Sequence, residues 1–71
     1  MEEFKLNGHE YVQLCDLLKR KGLCQTGGHA KLVISEGEVK VDGNVELRKR
    51  CKIVADQVVE YDGQRIKVLA E

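Results

Sequence analysis

The spacing of apolar positions changes period along the chain, and the changes spell out its elements. Between Thr26 and Gly43 the sequence reads TGGHAKLVISEGEVKVDG. Thr26 is placed to accept a hydrogen bond from the first free N–H groups of a helix, as an N-cap does. Ala30, Val33 and Ile34 follow at the i, i+3, i+4 spacing of one buried helix face. Gly37 comes just after them, where a left-handed helix stop favours a residue without Cβ. Val39 and Val41 then alternate with Glu38 and Lys40, the period of a half-buried strand. Asp42-Gly43 is a hairpin-turn pair.

Upstream, Phe4-Lys5-Leu6 alternates as a short edge strand that ends at the Asn7-Gly8 turn. From Glu10 to Lys21, Tyr11, Leu14, Cys15 and Leu18 mark one helical stripe, widened by Val12 and Leu17. Asp16 and Arg20 stand four apart on the polar side in the favourable acid-first order. Lys19, Arg20 and Lys21 crowd the last turn, where cations suit the helix dipole, and Gly22 stops the helix. Leu23-Cys24-Gln25 is so short a link that the two helices turn sharply and pack stripe to stripe.

Downstream, Val45 and Leu47 predict a return strand. The segment Arg48–Lys52 has no apolar residue except Cys51 and is expected to bulge into solvent. Ile53-Val54 re-enters the core. Val58, Val59 and Tyr61 predict a strand, Asp62-Gly63 a turn, and Ile66, Val68 and Leu69 the last strand. There is no proline, repeat or linker. The expected fold is α+β over one domain, 1–71: a short N-terminal strand, two packed helices, then a small antiparallel-rich sheet.

Composition narrows this reading. A chain of 71 residues buries about 60 % of its unfolded surface, so the core is small. An apolar content of 42 % is enough to pack one. No apolar run nears the roughly 20 residues of a membrane span, and the acidic start MEEFKLNG is unlike a signal peptide, so a cytoplasmic protein is expected. Three cysteines without a CxxC spacing argue against a disulfide framework or structural zinc. Cys15 reads as core, with Cys24 and Cys51 as small incidental residues. His9 and His29 add no metal-ligand spacing.

Twelve basic and twelve acidic residues cancel, so total charge announces no nucleic-acid binder. Their distribution does more. Lys19-Arg20-Lys21 is one basic run; Arg48-Lys49-Arg50 with Lys52 is another, and the acids lie mostly elsewhere. Such segregation gives a neutral protein one face of positive potential. In the second run, Arg48 and Arg50 are suited to clamp phosphates bidentately and Lys49 and Lys52 to act as point charges. The plainer reading of that run is a solvated loop that keeps the protein soluble.

The succession LCDLLKRKGLCQTGGHAKLVISEGEVKVDG resembles the αL motif of the S-four (S4) RNA-binding domain. The family pattern is met by Asp16, Leu17, Gly22, Thr26, Ala30, Val33, Ile34, Gly37, Val39, Val41, Asp42 and Gly43. The whole chain is similar to the small stand-alone bacterial form, in which a basic run follows the turn. Two departures stand out. The family's Ser-Arg is Thr26-Gly27 here, so an arginine often used on RNA is missing. A common Gly-Asp is Asp56-Gln57, which changes only a turn because Asp tolerates the conformations of glycine.

The resemblance implies a non-catalytic protein that binds structured RNA, with ribosomal RNA and ribosomal particles as candidate partners. It implies a face made by Arg48, Lys49, Arg50 and Lys52, joined by Lys31 after the motif alanine and by Lys40 beside the turn. Thr26, Gly27 and Gly28 present free N–H groups at a helix start, an anion site that partly compensates for the missing arginine; the alternative is that Gly27 and Gly28 are packing or turn residues. Tyr11 and Tyr61 are spaced as core residues, so aromatics are too few for a stacking platform, and recognition rests on RNA shape and backbone. No phosphate loop, dinucleotide fingerprint or nucleophile–base pattern is present, so the expectation is no enzyme, no cofactor, no metal and no small-molecule substrate. The chain is expected to be a monomer. The alternative is a protein–protein adaptor without nucleic-acid contact; DNA binding through the helix pair is weaker, for want of side chains at the helix start to read base edges.

Overall fold

The helical stripes and the alternating strands close on one another in the computed structural model, which describes residues 1–71. In chain order the elements are β1 (Glu2–Lys5), β2 (Val12–Gln13), α1 (Leu14–Arg20), α2 (Gly27–Ser35), β3 (Val39–Val41), β4 (Asn44–Val45), β5 (Lys52–Ile53), β6 (Val58–Tyr61) and β7 (Gln64–Leu69). The main sheet has the order β1-β7-β6-β3-β4. Its neighbours are antiparallel except at the edge, where β1 runs parallel to β7 with Phe4 opposite Val68. A second, two-stranded ribbon pairs β2 with β5, Val12 opposite Ile53 and Gln13 opposite Lys52. The α+β expectation holds, with strand, helix pair and antiparallel-rich sheet in the expected order.

The core is wholly apolar. Leu14, Leu17 and Leu18 of α1 meet Ala30, Val33 and Ile34 of α2, and Val39, Val59, Ile66 and Val68 come from the sheet. No polar side chain is buried, so burial is opposed by no desolvated charge. Thr26 caps α2 as its position implied: its hydroxyl accepts the N–H of His29 at 3.0 Å. Gly37 takes φ +79°, the left-handed stop. Asp56 takes φ +74°, a left-handed conformation that Asp tolerates better than most residues. Asp42 does more than turn the chain, since its Oδ1 accepts the N–H of Val58 at 2.9 Å and its own N–H donates to Val58 O at 2.8 Å.

Several expectations need correction. The first helix starts at Leu14, not Glu10, because Val12 and Gln13 are drawn into the ribbon with β5. Tyr11 therefore leaves the helical stripe and is 38 % exposed. The return strand is only Asn44–Val45; Leu47 and Val54 are exposed. The segment 48–52 is no free bulge: Cys51 is buried, and Lys52 pairs in the ribbon. Cys24 is also buried, tucked into the core by the short link between the helices. Neither cysteine is incidental.

The cap on α2 yields a direct check. Replacing Thr26 by Ala leaves an N–H of the first turn without its acceptor, a loss of about 1 kcal/mol. In a chain of this size that lowers the melting temperature by about 4–8 °C, read by circular dichroism on heating.

Candidate nucleic-acid interface

The short helix α1 is the foundation of the site. Gln13 stands at its N-cap without a side-chain bond, which leaves the first N–H groups in need of acceptors. The basic segment supplies them. Leu14 N–H donates to Cys51 O at 2.9 Å, and Cys15 N–H to Lys49 O at 3.1 Å. The loop that carries the cations is thus also the cap of the helix.

Further ties hold the loop. Glu46 Oε2 accepts the backbone N–H of Arg48 and its Nε, both at 2.9 Å, and Oε1 accepts Nη2 at 3.1 Å. Those bonds hold the Glu46 carboxyl well below the usual carboxylate range, at about 2. Arg48 Nη2 also lies 3.5 Å from the sulfur of buried Cys51. The Arg48 side chain nevertheless remains 77 % exposed; its fork is aimed by Glu46, with Nη1 outside these bonds. Lys49, Arg50 and Lys52 are exposed and form no ion pair. Arg48, Arg50 and Lys52 line one shallow depression together with Cys51.

Lys52 has an aromatic neighbour instead of an acid. Its ammonium lies 5.0 Å from the centroid of the Tyr11 ring, within cation–π range. Residue pairing explains the meeting: Lys52 is opposite Gln13 in the ribbon, two residues from Tyr11. From sequence Tyr11 reads as a core residue, and Glu46 is not singled out. The only signal for Glu46 was its place as the one acid beside the basic run.

The other predicted residues are dispersed. Lys31 is half-buried on α2, and Lys40 is exposed on β3 opposite Val45 and Glu60. Thr26, Gly27 and Gly28 open α2; a Cβ at Gly27 would meet nothing within 4 Å, and at Gly28 only the Thr26 hydroxyl at 3.8 Å. Packing does not demand glycine there. No side-chain hydrogen bond or ion pair joins these five residues to the 46–52 loop. The first basic run is occupied with structure: Arg20 pairs with Asp16 at 2.9 Å, and Lys21 with Glu2 at 3.1 Å. Acids collect elsewhere. Glu38 is held above the usual carboxylate range first by the neighbouring Glu36 carboxyl, then by desolvation and the charge of Asp62. Burial pushes the Cys24 and Cys51 thiols up, which leaves them poor nucleophiles.

A helix pair followed by strand and turn, with a cationic loop bound to the first helix, defines a small α+β domain of the αL kind. The chain belongs to the S4 domain family, whose profile matches residues 4–69. It is 54 % identical over 70 residues to YbcJ of Escherichia coli (strain K12), covering 99 % of this chain and 100 % of that protein. YbcJ of Shigella flexneri is similar to the same extent, 54 % over 70 residues. The fold is similar to the solution structure of YbcJ from E. coli, with a TM-score of 0.76, 54 % identity, and coverage of 99 % of this chain and 89 % of that one. That structure is described as revealing an αL motif involved in RNA binding.

The Glu46 tie has a signature in acid. Its carboxyl titrates at about 2 in the folded protein, against about 4.3 when unfolded. A depressed folded value means the tie stabilises the loop fully above the unfolded value and vanishes as pH falls through about 2. A carboxyl-carbon NMR titration should therefore place the Glu46 midpoint near 2, with the Arg48 amide shifting in step. A midpoint near 4 means that Arg48 is not held.

Proposed function

We propose that the chain is a non-catalytic RNA-binding protein that grips structured RNA with the loop Arg48–Lys52. What carries the reading is the anchored loop: four cations, three without an acidic partner, on a backbone that caps α1. Cations held along one face exchange condensed counterions for phosphate contacts, the sequence-independent part of RNA affinity. Arg48 and Arg50 clamp phosphates, and Lys49 and Lys52 add point charges. Lys31, Lys40 and the N–H groups at Thr26, Gly27 and Gly28 extend the binding surface along the helix pair and its turn. The RNA-binding αL motif of the E. coli relative supports this assignment.

Ribosomal RNA, in the ribosomal particle, is the RNA we favour, bound in the cytoplasm by a monomer of this one domain without cofactor. No helix is long and apolar enough to cross a membrane. A folded ribosomal RNA fragment titrated at several salt concentrations tests the reading. The parent protein is compared with the variant Arg48→Ala, Lys49→Ala, Arg50→Ala, Lys52→Ala. The variant should bind at least about tenfold more weakly, with a log–log salt slope flatter by about 0.7–0.9 for each phosphate that is no longer neutralised. Equal binding by both would move the RNA to the helix pair around Lys31. No binding by either would leave the adaptor reading in the lead.

A further inference from the structure

A hollow of about 340 Å³ lies beside the basic loop, between the N-terminal strand and the exposed side of α1. Its walls include Phe4 and Tyr11, with His9, Gln13, Asp16 and Arg20 supplying polar groups. The volume is at the lower end of the range for small-ligand sites. The backbone of two residues that line it is held in place: Leu6 N–H donates to Leu69 O at 2.9 Å, and His9 N–H to Leu6 O at 3.1 Å. Tyr11 belongs to the hollow and to the loop at once, since the Lys52 ammonium lies 5.0 Å from its ring centroid.

We infer that this hollow takes one unpaired nucleobase of the RNA held by the basic loop. The inference rests on the RNA-binding reading above and deepens it from backbone contact to recognition of a nucleotide. The chemistry fits a base better than any other part of RNA. Sequence-specific RNA recognition uses bases splayed from a helix, stacked on aromatic rings and hydrogen-bonded at their edges. Tyr11 offers a ring, and Gln13, His9 and Asp16 offer donors and acceptors beside it. Cations flank the space, Arg20 held by Asp16 at 2.9 Å on one wall and Lys52 at the ring. A base in the hollow therefore keeps its own phosphates near positive charge. One side of the Tyr11 ring meets Lys52, and the residue also lines the hollow, where a base can stack.

Three labelled RNA hairpins separate the two readings: one fully paired, one with a single bulged nucleotide, and one with an abasic site at the bulge. The parent should bind the bulged hairpin at least about fivefold more tightly than the other two, the lower bound of what one stacked base contributes. Tyr11→Ala should erase that preference, bringing the ratio of bulged to paired affinity to about one, whatever the loss of the Lys52 contact does to both affinities alike. Tyr11→Phe should keep it. The side chain is exposed, so either variant should fold, which circular dichroism checks. Equal binding of all three hairpins by the parent overturns the base site and leaves loop binding standing. Preference retained in Tyr11→Ala overturns it as well. A parent that binds none of the three overturns the loop reading together with the base site.

Discussion

The two hydrogen bonds from the start of α1 to the carbonyls of Lys49 and Cys51 are the constraint on which the cationic loop depends. A helix of seven residues is too short to persist alone, and this one lacks a side-chain cap. It exists because Leu14, Leu17 and Leu18 are buried against α2 and the sheet, and because a distant segment satisfies its first N–H groups. The dependence is mutual. Without the helix start, the segment carrying Arg48 to Lys52 would have only the ribbon of β2 and β5 to order it. Packing of the helix pair and presentation of the cations are therefore one event in folding.

Charge within that loop is arranged for position as much as for strength. A phosphate-binding surface gains affinity from every cation, yet Glu46 subtracts one charge beside Arg48. What it returns is geometry, since three bonds fix the guanidinium and its own backbone amide. Ordering a long side chain before binding removes part of the entropy that binding would otherwise cost. Lys49 and Arg50, with no such partner, keep their freedom and their full charge. The loop thus combines one aimed fork with mobile charges, and Lys52 is steadied by an aromatic face that adds no negative charge.

Legibility in the sequence followed the range of the interactions. The stretch from Thr26 to Gly43 was readable because cap, stripe, stop, strand and turn are all local signals, and each fell where expected. The start of α1 was not readable. Tyr11 and Val12 fit a helical stripe, but Val12 pairs with Ile53, a partner about forty positions on that no local pattern announces. The same ribbon explains why Cys51 is buried in a run that looked like a solvated bulge. The parallel pairing of β1 with β7 was equally hidden, since it joins the two ends of the described chain. At the site, the basic run could be read as letters, whereas Glu46 as its brace and Tyr11 as its neighbour exist only once the backbone has folded.

The acids complete the physical picture of a neutral binder. Glu36 and Asp62 crowd Glu38, whose carboxyl is raised above its ordinary range, Glu36 being the main cause. A group raised in this way opposes folding at neutral pH, and Glu36 also stands at the C-terminal end of α2, where the helix dipole disfavours anions. Local stability does not explain that crowding. A field does: gathering anions on the α2–β3 connection and the β6–β7 turn keeps them off the cap of α1, where Glu46 is the only acid in the run from Val45 to Val54. A chain with no net charge can then approach a polyanion in a preferred orientation, its cations leading. Zero net charge and a strong basic face are compatible here because local repulsion among the acids is tolerated in exchange for their separation from the loop.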